Sequence, residues 1–426
     1  MALPDPSAPP HRRWLLAAFC ATLLGMLHKG AAQVPELASR TSLVPGDGAP
    51  GGEIAVQFLT SPDDLARLAP EWNRIHARAV AASVFNSWLF QYQWWQVYGA
   101  GQPLRILVAL ERGETVGILA LYIQKLTVLG VPVRVLRFVG AGADTHPDDL
   151  GPVLAPGCEE AVARKLARAA LRLSDADVLV LSDIDPQSAF APALEQAAQE
   201  ARRASLSEVS ERIAFVELPQ SWPEFLQSMS SDRRTRLKSS RKKAAAAHRL
   251  RFFVWDDSAG LDRAVDRLTE LHRSRWREAG GSASFATPEY VEFHRRTIKS
   301  AFPRGWLRLY CLELDGEIAA ITYCYRFRNR VYLMQAGFDP AKAKSNPGKV
   351  LLGYALEHAI GEGNAVFDFL KGEHRYKDQL ATGYRNTLGV RVFRNTPGAI
   401  AYRLRKIWLP QWKARFYGRP PPKLMP

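Results

Sequence analysis

The sequence predicts an α/β (α+β) chain of two related units in tandem, each a mixed, mainly antiparallel sheet flanked by helices. Three observations carry this expectation. Strand-like and helix-like patterns alternate from Glu53 to Arg394. One hairpin pattern occurs twice, as "RILVALERGETVGILALYIQ" and "RLYCLELDGEIAAITYCYRF", turning at Gly113-Glu114 and at Gly316-Glu317 between alternating apolar residues. Each copy leads into further strand and helix.

Bulk properties set the frame. A chain of 426 residues with 47% hydrophobic and 23% charged residues has room for two ordinary domains and reads as globular rather than disordered. The net charge of +15 is concentrated: Asp232 to Arg251 carries +8 and Gln379 to Pro426 carries +10, which leaves −3 for the rest. Two basic segments on a nearly neutral body point to local contacts with anions rather than to a basic domain. The four cysteines, Cys20, Cys158, Cys311 and Cys324, form no CxxC pair, and no histidine cluster has ligand spacing. Reduced thiols are expected, with no metal and no disulfide framework.

The elements follow in order. Residues 1–52 form a signal-like N-terminal segment, with an apolar run from Trp14 to Leu27 and a Pro/Gly/Ser-rich, disordered stretch from Val34 to Gly52. The first unit spans 53–220. It opens with the strand "EIAVQFLT" and a helix started by Ser61-Pro62. The aromatic-rich "VFNSWLFQYQWWQVYG" reads as a buried helix. The first hairpin follows, then the amphipathic helix "CEEAVARKLARAALRLS" and the strands "ADVLVLSDI" and "IAFVEL". Residues 221–251 read as one long basic connecting helix. The second unit, 252–395, reads helix (261–279), helix (288–302), hairpin (307–327), strand (330–338), helix (347–362) and strand (365–370). Residues 396–426 form a basic aromatic tail suited to an anionic membrane surface.

Two stretches carry chemistry. In "QAGFDPAKAKSNPGKVLLGYALEHAI", Asn346-Pro347 opens a helix and Gly348 allows close approach to its backbone. Free N–H groups at such a start bind phosphate, and Lys342, Lys344 and Lys349 add positive charge. The stretch is not a Walker A loop, because Ala343 and Val350 stand at its key positions. In "VFDFLKGEHRYKDQLA", an apolar strand breaks at Gly372 into a dense run of titratable residues, a concentration that a fold alone does not require.

The order hairpin, strand, phosphate-compatible helix start, strand resembles the GNAT acetyltransferase fold, here as tandem GNAT-like units. "FNSWLFQYQWW", "HPDDLGPVLAPG", "RRTRLKSSRKK" and "FDFLKGEHRYK" resemble the CelD/BcsL-like type, which is related in layout to the FemAB aminoacyl transferases. The last segment fits a DF-x-x-G-x-x-x-YK pattern.

The resemblance implies an acyltransferase that uses acetyl-CoA or another acyl-CoA as co-substrate, with the donor in the second unit and an amine or hydroxyl acceptor bound between the units. It implies donor contacts at Phe338, Asn346, Gly348, Lys349 and Val350. Lys377 would stabilise the oxyanion, Asp368 would orient Lys377 or accept a proton, and Tyr376 would protonate the leaving thiolate; Glu373 and His374 are alternative bases. In the first unit, His146, Asp148 and Asp149 of "GADTHPDDLGPVL" suit the acceptor, with Asp149 favoured. The implied setting is cytoplasmic, with membrane association through the tail, in exopolysaccharide, cellulose or cell-envelope biosynthesis. Nucleic acid is not expected as a partner. Two other readings stay open: a FemAB-like transferase fed by aminoacyl-tRNA, and a non-catalytic accessory protein of a polysaccharide machine.

Overall fold

The structure, a computed structural model, describes residues 43–44, 53–278, 284–372 and 374–412. Apart from Leu43–Val44, which form a strand inside the stretch expected to be disordered, the signal-like segment with Cys20 lies outside the described residues, as do Glu373 and the end of the tail.

The hairpin turns set the frame. Arg112-Gly113 and Asp315-Gly316 each place two successive residues at positive φ (51° and 83°; 57° and 89°), the backbone that joins twisted strands through two residues. Strands β1 (Leu43–Val44), β2 (Ile54–Leu59), β3 (Leu104–Glu111), β4 (Glu114–Val128) and β5 (Val131–Phe138) form an antiparallel run. The short β6 (Val153–Leu154) pairs with β4, and β7 (Val178–Ile184) lies parallel to β5. In the second half, β9 (Leu250–Val254), β10 (Leu307–Leu314), β11 (Glu317–Phe327) and β12 (Arg330–Phe338) are again antiparallel, and β13 (Val366–Asp368) lies parallel to β12.

The halves interlock. Strand β8 (Ser205–Glu217) leaves the first half to pair with β13, and β14 (Gly383–Phe393), at the far end of the chain, inserts between β7 and β8. A single sheet of 14 strands results. Nothing in the sequence patterning singled out β14, which follows the dense run of titratable residues after Gly372 and the short helix Arg375–Leu380.

Helices cover both faces. These are α1 (Pro62–Arg67), α2 (Ala69–His76), α3 (Trp88–Tyr98), α4 (Glu159–Arg172), α5 (Phe190–Glu200), α6 (Trp222–Ser228), α7 (Ser231–Ala247), α8 (Leu261–Glu278), α9 (Pro288–Ala301), α10 (Pro347–Gly361), α11 (Arg375–Leu380) and α12 (Pro397–Arg403). Trp72 and Trp94 are fully buried, and α3 packs against α9 of the other half. The aromatic stretch is therefore core between the halves.

Two expectations change. The basic segment is not one helix: Met229 and Ser230 adopt extended backbone between α6 and α7, and its last residues form β9, which pairs with β10. The start of the tail is not free either. α12 packs on β5, and Ala399, Ala401, Tyr402 and Ile407 are buried, because the apolar face of this short helix finds a sheet surface to cover.

Candidate active site

The site forms where β12 and β13 part. The two strands pair from Arg330–Val366 to Tyr332–Asp368, and beyond Tyr332 the strand β12 has no paired strand on that side among the described residues. A register shift on β11 between Tyr323 and Cys324 leaves Met334 as an extra residue in β12, which bends the strand away. Two cavities fill the opening.

The larger, ≈ 620 Å³, lies between β12, α7 and the start of α10. Its wall includes Arg233, Arg236, Phe338, Asn346, Gly348 and Lys349. Asn346 sits at φ 50° and turns the chain into α10. The amides of Gly348 and Lys349 make no backbone hydrogen bond among the described residues outside the helix itself, as expected of a helix start. Amides without backbone partners, a positive helix end and the cations Arg233, Arg236 and Lys349 are features that suit phosphate groups. Four of the five expected donor contacts, Phe338, Asn346, Gly348 and Lys349, are brought together here. Val350 is not: it is fully buried in the core and its amide bonds back to Asn346, because the second turn of α10 faces the sheet.

The smaller cavity, ≈ 340 Å³, lies between the halves. It is lined by His146 and Asp148 of the first half and by His272, Trp276, Tyr290, His294, Gln335, Lys371, His374 and Lys377 of the second. The two cavities share Arg275, Leu333, Ala336 and Tyr376. Tyr376 thus stands at their junction. Its hydroxyl has no hydrogen-bond partner among the described residues, and burial pushes its pKa up to about 12, so it holds its proton at neutral pH.

Lys377 is buried, with Nζ donating to the carbonyls of Leu370 (3.0 Å) and Lys371 (2.8 Å). Burial pushes its pKa down to about 8, with Asp148 and Asp368 pulling the other way. Two of its three ammonium protons are placed on carbonyls, which leaves one for a ligand. Its expected partner Asp368 is engaged elsewhere. Asp368 is fully buried, accepts from Arg330 (2.9 Å), Arg385 (2.8 Å) and the amide of Leu370 (2.9 Å), and lines neither cavity. It holds the end of β13 in place.

The acidic loop divides in the same way. Asp149, the favoured acceptor residue, makes a two-pronged ion pair with Arg385 (2.6 and 2.8 Å) and lines neither cavity. It sits at φ 52°, a conformation that turns its side chain away from Asp148 and toward β14. Asp148 is the residue on the cavity: its Oδ2 accepts the amide of Lys371 (2.9 Å), and its buried Oδ1 has no hydrogen bond. His146 lies at the rim of the same cavity.

Sequence reasoning missed Lys371, Asp183, His272 and His294 as site residues. Lys371 bridges Asp183 (3.0 Å) and Asp148 (3.5 Å). Burial alone would lower its pKa, but the two carboxylates raise it above the ordinary value. Burial pushes His272 down to about 4 and His294 to about 3, so both imidazoles are neutral at pH 7. Neither ring makes a hydrogen bond among the described residues, and the Nδ1 atom of each is buried. The only sequence signal was two histidines on the apolar faces of predicted helices, a pattern shared with ordinary core histidines.

Comparison with known proteins fits this geometry. Residues 231–378, from α7 through Lys377, match the family profile described as "Acetyltransferase (GNAT) domain" (Acetyltransf_6). The crystal structure of FemX shares the fold at 11% identity, with a TM-score of 0.54 over 79% of this chain and 98% of that one. A conserved protein of unknown function from Bacteroides thetaiotaomicron does so at 11% identity, with a TM-score of 0.51 over 79% and 99%. No curated protein matches the sequence. Residues 231–378 therefore form a GNAT-type acetyltransferase domain, which supports an acyltransferase.

Proposed function

We propose that the chain transfers an acyl group, acetyl in the first instance, from acyl-CoA to an amine or hydroxyl of an acceptor bound in the smaller cavity. The observation that carries this is the pair of cavities meeting at Tyr376, one suited to phosphates and the other to a polar acceptor. The CoA phosphates lie against Arg233, Arg236 and the start of α10, and the pantetheine follows β12 past Phe338 to Ala336. The acceptor attacks the thioester carbonyl, the new C–N or C–O bond forms, and the C–S bond breaks. The remaining ammonium proton of Lys377 stabilises the oxyanion, and Tyr376 gives its proton to the departing thiolate. The acceptor's proton has a destination in the neutral imidazoles of His272 and His374 on the same wall.

The acceptor reading is a glycosyl unit of an exopolysaccharide or envelope precursor. It is supported by unpartnered neutral imidazoles and a buried carboxylate among aromatic rings, a wall that suits hydroxyl and amine groups better than an anion. Use of acyl-CoA implies a cytoplasmic reaction. No helix among the described residues is long and apolar enough to cross a membrane. The exposed Trp408 and Trp412 beside Arg405 and Lys406 support contact with an anionic membrane surface instead.

Calorimetric titration of acetyl-CoA into the full chain tests the donor, with Arg233→Glu/Arg236→Glu as the control variant. Micromolar binding that weakens in the variant is the expected result. Salt-sensitive binding of bulk tRNA without binding of acetyl-CoA would transfer the assignment to an aminoacyl-tRNA-dependent enzyme, and no binding of either would indicate an accessory protein. Release of CoA thiol with glucosamine, butylamine and glycine as trial acceptors then tests the sugar reading, which fails if only the non-sugar amines react.

A further inference from the structure

A second cluster lies at the edge of the larger cavity and takes no part in the chemistry above. His248 follows the last residue of α7. Its Nδ1 lies 2.6 Å from Asp315 Oδ2, and its Nε2 lies 2.8 Å from Ser345 Oγ. Asp315 is the first turn residue between β10 and β11; its other carboxylate oxygen accepts the amide of Arg249 (2.9 Å). The hydrogen bond from His248 holds the Asp315 carboxyl below its usual pKa, so the carboxylate is charged and the Nδ1–H of the imidazole donates to it. Nε2 faces the Ser345 hydroxyl at hydrogen-bond distance.

The distances are those of a nucleophile, a base and an orienting acid, but the location argues against attack on the thioester. Ser345 immediately precedes Asn346, at the phosphate end of the larger cavity, whereas the thioester end lies at Tyr376 on the far side. What Ser345 does control is the turn. The residues from Pro340 to Ser345 form a tight helical turn, and Asn346 must reverse to φ 50° for the amides of Gly348 and Lys349 to face the cavity. A left-handed conformation in a non-glycine residue is held by its surroundings. Two ties hold this one: Ser345 to His248, and Lys342 Nζ to the carbonyl of Leu314 (3.0 Å). Both run to the same hairpin turn or to the end of the basic helix.

We propose that His248 is a positioning residue for the donor: with Asp315 behind it, it fixes Ser345 and so aims the first amides of α10 at the phosphates of acyl-CoA. This inference rests on the acyl-CoA reading above. The basic helix then serves the donor at both ends, with Arg233 and Arg236 near its start and a hydrogen-bonded clamp on the phosphate loop at its close.

The test compares two donors. Acetyl-CoA carries the phosphates, whereas S-acetylpantetheine carries the same thioester and arm without the nucleotide. Acetyl-CoA binding is measured by calorimetry and S-acetylpantetheine binding by saturation-transfer NMR, which detects weak binders. The proteins are the full chain, His248→Phe, Ser345→Ala and the double variant, each checked by thermal melting. The expected result is that each single variant weakens acetyl-CoA about tenfold, that the double variant loses no more than either single one, and that S-acetylpantetheine binding is unchanged. Equal weakening of both donors, or no weakening of acetyl-CoA, overturns the assignment of His248. Failure of the unsubstituted chain to bind acetyl-CoA is a different outcome, and it overturns the donor reading together with this inference.

Discussion

The opening between β5 and β7 and the opening between β12 and β13 are built alike and filled differently. Both follow an antiparallel hairpin with a two-residue turn. Both hairpins even carry a register shift at the same distance from the turn, at Ala109/Leu110 and at Leu312/Glu313. Both continue into a strand that pairs briefly in parallel with the next, through two pairs in one case and three in the other. In the first half, however, the protein closes the opening with its own chain: Leu150 is buried, bridges to Ile184, and its amide donates to the carbonyl of Asp183 (2.8 Å). In the second half the opening is left as cavity.

The helices that follow differ in the same sense. The helix α4 begins with Glu159 and Glu160, and Glu159 accepts the amide of Gly157 (2.8 Å), so its positive end is already neutralised. The helix α10 begins with Pro-Gly-Lys and no acid. One copy of the motif is closed and the other left open as cavity, through a plug and two carboxylates rather than through any change of fold.

The largest effect should come from giving the second half what the first half has. Ala336→Trp, which fills the open splay from a position shared by both cavities, should abolish calorimetric binding of acetyl-CoA with an unchanged melting transition. If binding persists, the donor does not use this opening. The reciprocal change, Leu150→Ala, should destabilise the fold by about 2–5 kcal/mol in denaturant titration and leave acetyl-CoA affinity intact.

Lys377→Met should lower turnover about 10²–10³-fold, read as thiol release with a reactive acceptor, with donor binding retained. Retained turnover would remove Lys377 from the mechanism. The same residue sets a pH dependence. A cation whose pKa falls to about 8 in the folded state loses its charge as pH rises through that value, so turnover should decline above about pH 8. For stability the sign is opposite. Between about pH 8 and the ordinary lysine pKa near 10.4, the unfolded chain binds more protons, so this residue makes stability rise with pH across that window. Chemical denaturation of the wild type and of Lys377→Met at several pH values reads the difference.

The smallest effect concerns the helix starts. Lys349→Glu, which copies the acidic first turn of α4, should weaken acetyl-CoA about tenfold. Glu160→Lys should change stability by less than about 1 kcal/mol and leave the donor untouched.

Much of this was legible in the chain because it is written locally. Turn glycines at Gly113 and Gly316, the Asn346-Pro347-Gly348 helix start and alternating apolar residues each report on a few neighbouring residues, and local backbone preference is what such patterns encode. The two hairpins, α8, α9 and the helix start at Asn346, Gly348 and Lys349 that lines the larger cavity followed from them. Lys377 and Tyr376 were visible as an excess of charge after a broken strand, although that excess could not sort the working groups from the structural ones.

Tertiary structure alone decided that sorting. Asp368 and Asp149 look in sequence like Asp148, but Arg385 arrives from β14, more than two hundred residues after the acidic loop, and claims both. Asp148 keeps one oxygen without a hydrogen bond, 3.5 Å from Lys371 Nζ, because Lys371 is drawn closer to Asp183 on β7. The insertion of β14 between β7 and β8, the plugging of one splay by Leu150 and the burial of the tail's first helix are pairings between distant segments. Their energies depend on which partner is in reach after folding, and no residue's own preference carries that information.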